Sequence, residues 1–324
     1  MSAASAVESV VTLRVERSGA LALVQDGGRL GVRHLGVTQG GAADWVSLGW
    51  ANWLLGNAPD AAALEITLGG GLSLKVEQGG TLALHGADLA ATLDGEPLLP
   101  GRAFTVTTGQ VIKFERPVTG LRAYLAFAGG LDVAPVLGSV ACVVRDGLGG
   151  LDGEGRALAS GDELRAARNE LSLRKLPQAA LDWQTGLSPA DQETAIILPL
   201  VVGAQIAEFS GDSLYRAFNS DWAVDGRADR MGVRLTGPRL ERDGAGMVSE
   251  GIPLGAVQVP ADGQPIVLLN DRQTIGGYPR IGALTPLACA QLGQCVPGTR
   301  VRLAAVTPGQ ARRDYLRALK AWQV

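Results

Sequence analysis

The chain predicts a mainly β fold, and three observations carry that prediction. Short apolar runs recur along most of its length, and they are separated by turns rather than by long amphipathic stretches. Glycine and proline are plentiful, with Gly 45 and Pro 16 among 324 residues, and the glycines fall at regular intervals between the runs. Hydrophobic residues make up 46% and charged residues 19%, enough to fill a core and too apolar for a disordered chain.

Taken in order, residues 1–10 read as a loose leader. Val11–Arg14 and Ala20–Val24 alternate as short strands, the second ending in Gln25-Asp26-Gly27-Gly28-Arg29. A glycine-rich segment, Gly36 to Asp44, could wrap its backbone around an anion or carboxylate, but it lacks the Lys-Ser/Thr of a nucleotide loop. Asp44 predicts an N-cap for a helix over Trp45–Leu55, stopped by Gly56 or Asn57, with its three tryptophans in the core. From Ala62 to Phe127 the signal is almost entirely β, with Asp94-Gly95 as a hairpin dipeptide. Glu65 lies inside an apolar strand, where a carboxylate needs a partner: an arginine such as Arg29 or Arg122, or a ligand.

Residues 147–155 read as a mobile loop, and 165–193 as a linker between a first β subdomain (11–175) and a second (195–306). Arg29-Leu-Gly-Val-Arg33 and Arg230-Met-Gly-Val-Arg234 suggest an internal duplication, each followed downstream by a glutamate and a Leu-Gly pair. In a duplicated protein, polar strand ends of the two halves would face each other across a cleft. A helix at 307–324 closes the chain, with Tyr315, Leu316, Leu319 and Trp322 sharing one face.

The stretch Val248–Ile281 concentrates the chemistry. Its apolar run Pro265–Leu269 has the length of a buried strand and stops abruptly at Asn270-Asp271-Arg272-Gln273-Thr274, followed by Gly276-Gly277-Tyr278-Pro279. A strand that delivers consecutive polar side chains at the core edge is a good scaffold for a site. The plain alternative is a well-bonded turn with Asp271 and Arg272 as a solvated ion pair.

Composition excludes several classes. A net charge of −3, with 29 basic and 32 acidic residues and no basic run, gives no electrostatic support for nucleic-acid binding. No apolar stretch approaches a membrane span and no signal-peptide core is present, so a cytoplasmic protein is expected. Cys142, Cys289 and Cys295 form no zinc pattern and fit reduced thiols, and with only His34 and His85 no metal site is expected.

Together these motifs resemble the biotin-dependent carboxyltransferase family. The likeness is carried by Gln25–Gly31, Gly36–Asp44, Ala63–Gly70, Ala128–Asp132, Val136–Ser139, Asp229–Gly232, Ser249–Gly251 and above all Gln258–Pro279, and it runs in order from about residue 11 to 305. It is greatest to the C subunits of prokaryotic ATP-dependent 5-oxoprolinases. Related chains form half of the carboxyltransferase domain of urea carboxylase, and others are antagonists of a sporulation-kinase inhibitor. One departure stands out: where many relatives have Ser-Gly-Ala-Met-Asp, this chain has Gly40-Gly41-Ala42-Ala43-Asp44 and so lacks that serine hydroxyl.

The resemblance implies two cyclophilin-like β-barrel subdomains with a few short helices. It implies partner subunits A and B, and the conversion of 5-oxo-L-proline, ATP and water to L-glutamate, ADP and phosphate. Opening an unstrained lactam is near balance or uphill, which gives the ATP a purpose; no ATP site can be located in the chain. No biotinyl-lysine motif occurs, so under a carboxyltransferase reading biotin arrives on another chain. As catalytic candidates, Arg272, or Arg230 or Arg29, would stabilise developing charge, while Asp271 or Asp229 would orient the arginine or act as a base. Gln273 and Tyr278 would bond an amide or ureido group. Gln25, Asp26, Arg29, Gln39, Asp44, Glu65 and Glu250 complete the substrate-binding candidates. A non-catalytic regulator that binds an inhibitor protein is the alternative of a different class.

Overall fold

The structure, a computed structural model, describes residues 10–168, 171–186, 194–242 and 248–322. All of the expected leader but Val10 lies outside the described residues, as do 169–170 and 187–193 of the expected linker. The mainly β class holds. The chain divides into two compact units, Met1–Gly27 with Ser47–Gln184, and Gly28–Val46 with Thr185–Val324.

In the first unit the strands form two sheets over one core. One sheet has six strands in the order Glu163–Arg165, Thr12–Arg17, Leu72–Gln78, Val111–Phe114, Thr92–Leu93, Glu96–Pro97. The other has five, in the order Leu21–Gln25, Ala63–Thr67, Thr119–Ala126, Gly80–Asp88, Arg102–Val106. Alternation explains the packing: Leu13, Leu74 and Ile112 of the first sheet share a cluster with Leu64, Ile66, Leu84 and Leu125 of the second. The hairpin at Asp94-Gly95 forms as expected, with φ of +52° and +87° at its two central residues.

The opposite face of the five-stranded sheet is polar and nevertheless buried. Strand register aligns Leu23, Glu65, Tyr124 and His85 in one cross-strand row. Tyr124 Oη donates to Glu65 at 2.8 Å, and Arg122 Nε lies 3.6 Å from the same carboxylate, so the arginine partner of Glu65 is Arg122. His85 is 0% exposed, neither ring nitrogen has a hydrogen-bond partner among the described residues, and burial pushes its pKa down to about 3.

Two expectations are corrected in this unit. Residues 147–155 are tied down by bridges Val143–Leu148 and Gly149–Glu154, and Arg156 pairs with both Asp152 and Asp162. The expected linker contains a helix, Gln178–Gly186, whose Trp183 indole donates to Ser47 Oγ at 3.2 Å and whose Gln184 amide bonds both backbone groups of Gly86. Pro177 precedes this helix and does not interrupt it, which is why proline content misled the reading.

The second unit is built on a closed barrel of seven strands: Ile196–Val202, Arg280–Leu284, Ala256–Gln258, Ile266–Leu268, Gly232–Thr236, Trp222–Val224 and Arg300–Val306. The last strand returns to the first in parallel, Ile196 opposite Val301 through Val201 opposite Val306, and every other pairing is antiparallel. Leu198, Leu200, Trp222, Leu235, Val257, Val267, Ile281 and Leu303 fill its interior. Thr285 and Thr307 cap the helices Pro286–Leu292 and Pro308–Lys320, each with proline in the first turn. The closing helix docks within this unit: Tyr315 and Trp322 meet the Trp45 ring edge-on at centroid distances of 5.6 and 5.3 Å.

Residues 28–46, expected with the first subdomain, belong to the second unit, because their backbone groups are bonded there. The duplication also fails locally. Arg29–Val32 runs as irregular chain into a 3-10 turn, Arg33–Leu35, whereas Gly232 opens a barrel strand, and both stretches lie in the same unit. Short sequence matches do not fix backbone conformation.

Unfolding measurements test two of these features. Gly28 has φ +89°, and a Cβ there would lie 2.9 Å from the Gly40 carbonyl oxygen, so Gly28→Ala destabilises the chain by about 1–3 kcal/mol in denaturant unfolding. Between the ordinary histidine pKa of 6.5 and about 3, the unfolded chain takes up a proton at His85 that the folded chain refuses. Stability therefore falls as pH drops through that window, by at most ~1.4 kcal/mol per pH unit, and His85→Phe removes this part of the slope in matched unfolding curves.

Candidate functional site

The strand Ile266–Leu268 pairs with Gly232–Thr236, and the ladder continues past both ends. Leu269 N–H donates to Met231 O at 2.9 Å and Asp271 N–H to Arg230 O at 2.9 Å. This register sets Arg230 beside Asp271, and the side chains close a bidentate pair, Nε and Nη2 each 3.0 Å from a carboxylate oxygen. Both are buried. The pair is thus a satisfied structural ion pair, and Asp271 orients Arg230, not Arg272. Asp229 is exposed and accepts from Met231 N–H at 2.8 Å and Gly232 N–H at 2.9 Å, an Asx turn that shapes the backbone at the strand entry.

The same strand end holds the glycine-rich segment. Asn270 donates through Nδ2 to the carbonyls of Gly40 (3.2 Å) and Ala42 (3.1 Å), and its own carbonyl accepts from Gly40 N–H at 3.2 Å. Arg230 Nη2 adds a 2.7 Å bond to Gly41 O. The glycines at 40 and 41, read as a possible anion cradle, instead present these groups to Asn270 and Arg230. Asp44 caps the helix Trp45–Leu55 by accepting from Val46 N–H at 3.1 Å, and its other oxygen accepts from Gln294 Nε2 at 2.7 Å. Arg29 is buried in the same unit, its N–H donating to Gln39 O at 2.7 Å.

Arg272 differs in kind. Its side chain donates to Ile252 O at 3.2 Å, Leu269 O at 3.1 Å and Gln39 Oε1 at 3.3 Å, and it has no carboxylate partner among the described residues. It is 3% exposed, and burial together with the nearby Arg33 charge lowers its pKa to about 10. It therefore stays cationic at neutral pH, in a site where no acid neutralises it. Gln273 and Gln258 approach the backbone at Gly276, and the side-chain oxygen of Gln273 is buried with no hydrogen-bond partner among the described residues. The arrangement can hold an oxyanion against a fixed guanidinium and meet an amide with carboxamide groups. Burial pushes the Cys289 thiol up to about 12, which rules it out as a nucleophile.

The structure therefore gathers Arg29, Gln39, Asp44, Arg230, Asp271, Arg272 and Gln273 in one unit, with Asp229 at a turn nearby in the chain. Glu250 is an exposed rim residue, paired with Arg280 at 2.6 Å and accepting from Gln205 at 3.0 Å, and Tyr278 is about half exposed. Gln25, Asp26 and Glu65 belong to the first unit. There Gln25 Nε2 donates to Cys142 O at 2.8 Å, and Asp26 accepts from Ser139 Oγ at 2.6 Å and Val140 N–H at 2.9 Å. Sequence reasoning missed Arg33, which clamps three carbonyls: Ile252 at 2.9 Å, Gln273 at 3.1 Å and Thr274 at 3.2 Å. It also missed Asn270 as a holder of backbone, although its place as the first polar residue after the apolar run was the available signal.

The carboxyltransferase domain, subdomain A and B, matches this chain over residues 35–305. The chain is 38% identical over 322 residues to the 5-oxoprolinase C subunit of Escherichia coli (strain K12), covering 96% of this chain and 98% of that protein. It is 33% identical over 294 residues to the protein of the same description from Haemophilus influenzae, covering 90% of each. Its fold superposes on the crystal structure of the K. lactis urea amidolyase with a TM-score of 0.86 and 25% identity, over 98% of this chain; it spans only 20% of that longer chain. Among the described residues no helix is long and apolar enough to cross a membrane.

Breaking the buried Arg230–Asp271 pair on one side strands a charge. Arg230→Met or Asp271→Leu alone should each cost roughly 3–5 kcal/mol, and the double variant clearly less than their sum, as a double-mutant cycle in denaturant would measure.

Proposed function

Because this chain belongs to the carboxyltransferase-domain family, subdomain A and B, we propose that it works as one subunit of an ATP-dependent 5-oxoprolinase. With subunits A and B it would convert 5-oxo-L-proline, ATP and water to L-glutamate, ADP and phosphate. The observation that carries the reading is similarity along nearly the whole chain to two proteins named as the C subunits of 5-oxoprolinases. The site chemistry is compatible with it. Opening a lactam builds negative charge on the carbonyl oxygen, and a desolvated, pre-oriented guanidinium stabilises that charge far better than a solvated one. Arg272 is the group we assign to that oxygen. Gln39 and Gln273 supply carboxamides for the lactam amide. Asp271, closed on Arg230, is assigned to positioning and not to proton transfer.

The glycine-rich segment of this chain does not offer ATP a phosphate cradle. The glycines at 40 and 41 are committed to Asn270 and Arg230, and among the described residues no group of three or more His, Cys, Asp or Glu could hold a metal ion. We assign the nucleotide to the assembled complex, at a site not located in this chain. The three cysteines are free and buried, in keeping with a cytoplasmic location.

A second reading is favoured by the likeness to the urea amidolyase structure: transfer of a carboxyl group from carboxybiotin carried on another chain. Arg272 and the same carboxamides fit the ureido group of biotin, which would supply the carboxyl group when bound. The test is ATP- and 5-oxoproline-dependent glutamate release by this chain, alone and mixed with its candidate A and B subunits. Turnover is expected only in the full mixture, and carboxyl transfer from a biotin carrier without glutamate release would favour the second reading. Arg272→Ala should lower kcat about 10²- to 10³-fold in the assembled complex. Full activity in a normally folded Arg272→Ala complex would overturn the site assignment.

A further inference from the structure

Two of the bonds that hold Arg272 lead back to the segment 28–46. The Leu269 carbonyl accepts from the backbone N–H of Arg272 at 3.2 Å and from its Nη1 at 3.1 Å. Nη2 reaches Gln39 Oε1 at 3.3 Å, a direct bond to that segment. Nε reaches the Ile252 carbonyl at 3.2 Å, and that carbonyl is itself held by Arg33, whose Nη2 stands 2.9 Å from it. The same nitrogen lies 3.1 Å from Gln273 O and 3.2 Å from Thr274 O, the two carbonyls that follow Arg272 in the chain. Arg33 thus fixes both the acceptor of the Arg272 side chain and the backbone next to it.

Little else joins these stretches. Glu250–Gly251 pairs with Ile275–Gly276 over only two residues, and Ile252 N–H adds a bond to Thr274 O at 3.0 Å. So short a two-stranded ladder is marginal by itself. Three carbonyl oxygens that converge on one point favour a cationic donor over a neutral one, which Arg33 supplies. Its Nη1 is buried and has no hydrogen-bond partner among the described residues, so the hold rests on one nitrogen. Charge adds a second constraint. Neither Arg33 nor Arg272 pairs with a carboxylate among the described residues, and like charges bonded to one oxygen repel. Repulsion disfavours any rotamer that swings the Arg272 guanidinium towards Arg33, which leaves it on Leu269 and Gln39.

We propose that Arg33 is a positioning residue: it aims Arg272 by holding the Ile252 carbonyl and the backbone of residues 273–274, and does not itself touch the reacting atoms. The inference deepens the proposed function and rests on it for what Arg272 does once aimed. It makes the 3-10 turn Arg33–Leu35 a working part of the site.

Two measurements test it, one of them without turnover. In the NMR spectrum of the full chain, the Nε–H signal of Arg272 is identified by its loss in Arg272→Ala. Arg33→Gln should speed its exchange with water about tenfold or more. The Nε–H of Arg230, which is bonded to Asp271 and not to the clamped carbonyls, should keep its rate. Arg33→Lys returns a cation and one donor nitrogen, so it should fall in between, and it carries the test if Arg33→Gln does not fold. Unchanged exchange at Arg272 in both variants, or equal acceleration at Arg230, would overturn the inference. In the assembled complex, Arg33→Gln should lower kcat about tenfold or more at nearly unchanged KM, with partial recovery in Arg33→Lys. Added to Arg272→Ala, it should remove nothing further, because its effect passes through Arg272. Equal losses in the two backgrounds, or a raised KM with kcat intact, would also overturn it. A complex that releases no glutamate would sink only the functional reading, since the exchange rates decide the positioning without it.

Discussion

The carbonyl groups of Gly40, Gly41 and Ala42 must be bonded once buried, and Asn270 and Arg230 bond them. Much of the second unit's polar architecture depends on that requirement. An unbonded buried carbonyl costs about as much as a lost hydrogen bond, so the segment 28–46 is held wherever matching donors stand. They stand at the end of the strand Ile266–Leu268, since Asn270 and Asp271 come directly after its last apolar residues. Arg230 reaches the same place because the strand ladder continues to the Asp271–Arg230 backbone bond. One ladder thus positions an amide and a guanidinium over one loop. Gly28 completes the closure, because only a residue without a side chain fits against Gly40 at that φ.

That arrangement divides the arginines into two chemical kinds. Arg230 is neutralised by Asp271 and committed to structure. Arg272, two residues on from Asn270, is fixed by backbone carbonyls and Gln39 and faces no acid among the described residues. Its lowered pKa records the cost of burying a cation beside another cation. A fold that bears this cost at neutral pH keeps a pre-oriented positive group whose solvent has already been removed, which is what stabilisation of a developing oxyanion requires. The neighbouring Asp271 and Arg272, a plausible surface ion pair on paper, form no such pair because Asp271 closes on Arg230 while Arg272 is held by the carbonyls of Ile252 and Leu269 and by Gln39.

The first unit shows a related trade. Its five-stranded sheet buries both faces, one apolar and one carrying Glu65, Tyr124, Arg122 and His85. Glu65 is tolerated there because Tyr124 donates a hydrogen bond to it and the Arg122 charge stands 3.6 Å away; His85 is tolerated by remaining neutral. The carboxylate's position in an apolar strand was a sound signal of a partner, and Arg122, one of the two arginines it pointed to, stands beside it.

Local pattern was legible where local physics decides. The apolar run ending at Asn270, the Asp44 cap, the Asp94-Gly95 hairpin and the β alternation from Ala62 to Phe127 each follow from periodicity or turn chemistry within a few residues, and each formed as expected. The helix in the expected linker was lost among prolines and polar residues, since its few anchoring contacts, Trp183 to Ser47 and Gln184 to Gly86, lie far away in sequence. Sequence alone determined the β class, the strand that carries the polar apex, and the motifs of the family. Only the tertiary structure decided that residues 28–46 join the second unit, that Asp271 takes Arg230, and that Arg33 and Arg272 converge on one carbonyl. Those outcomes depend on which donors and charges meet across distant stretches of chain, and burial, which makes such meetings decisive, is a property of the folded whole.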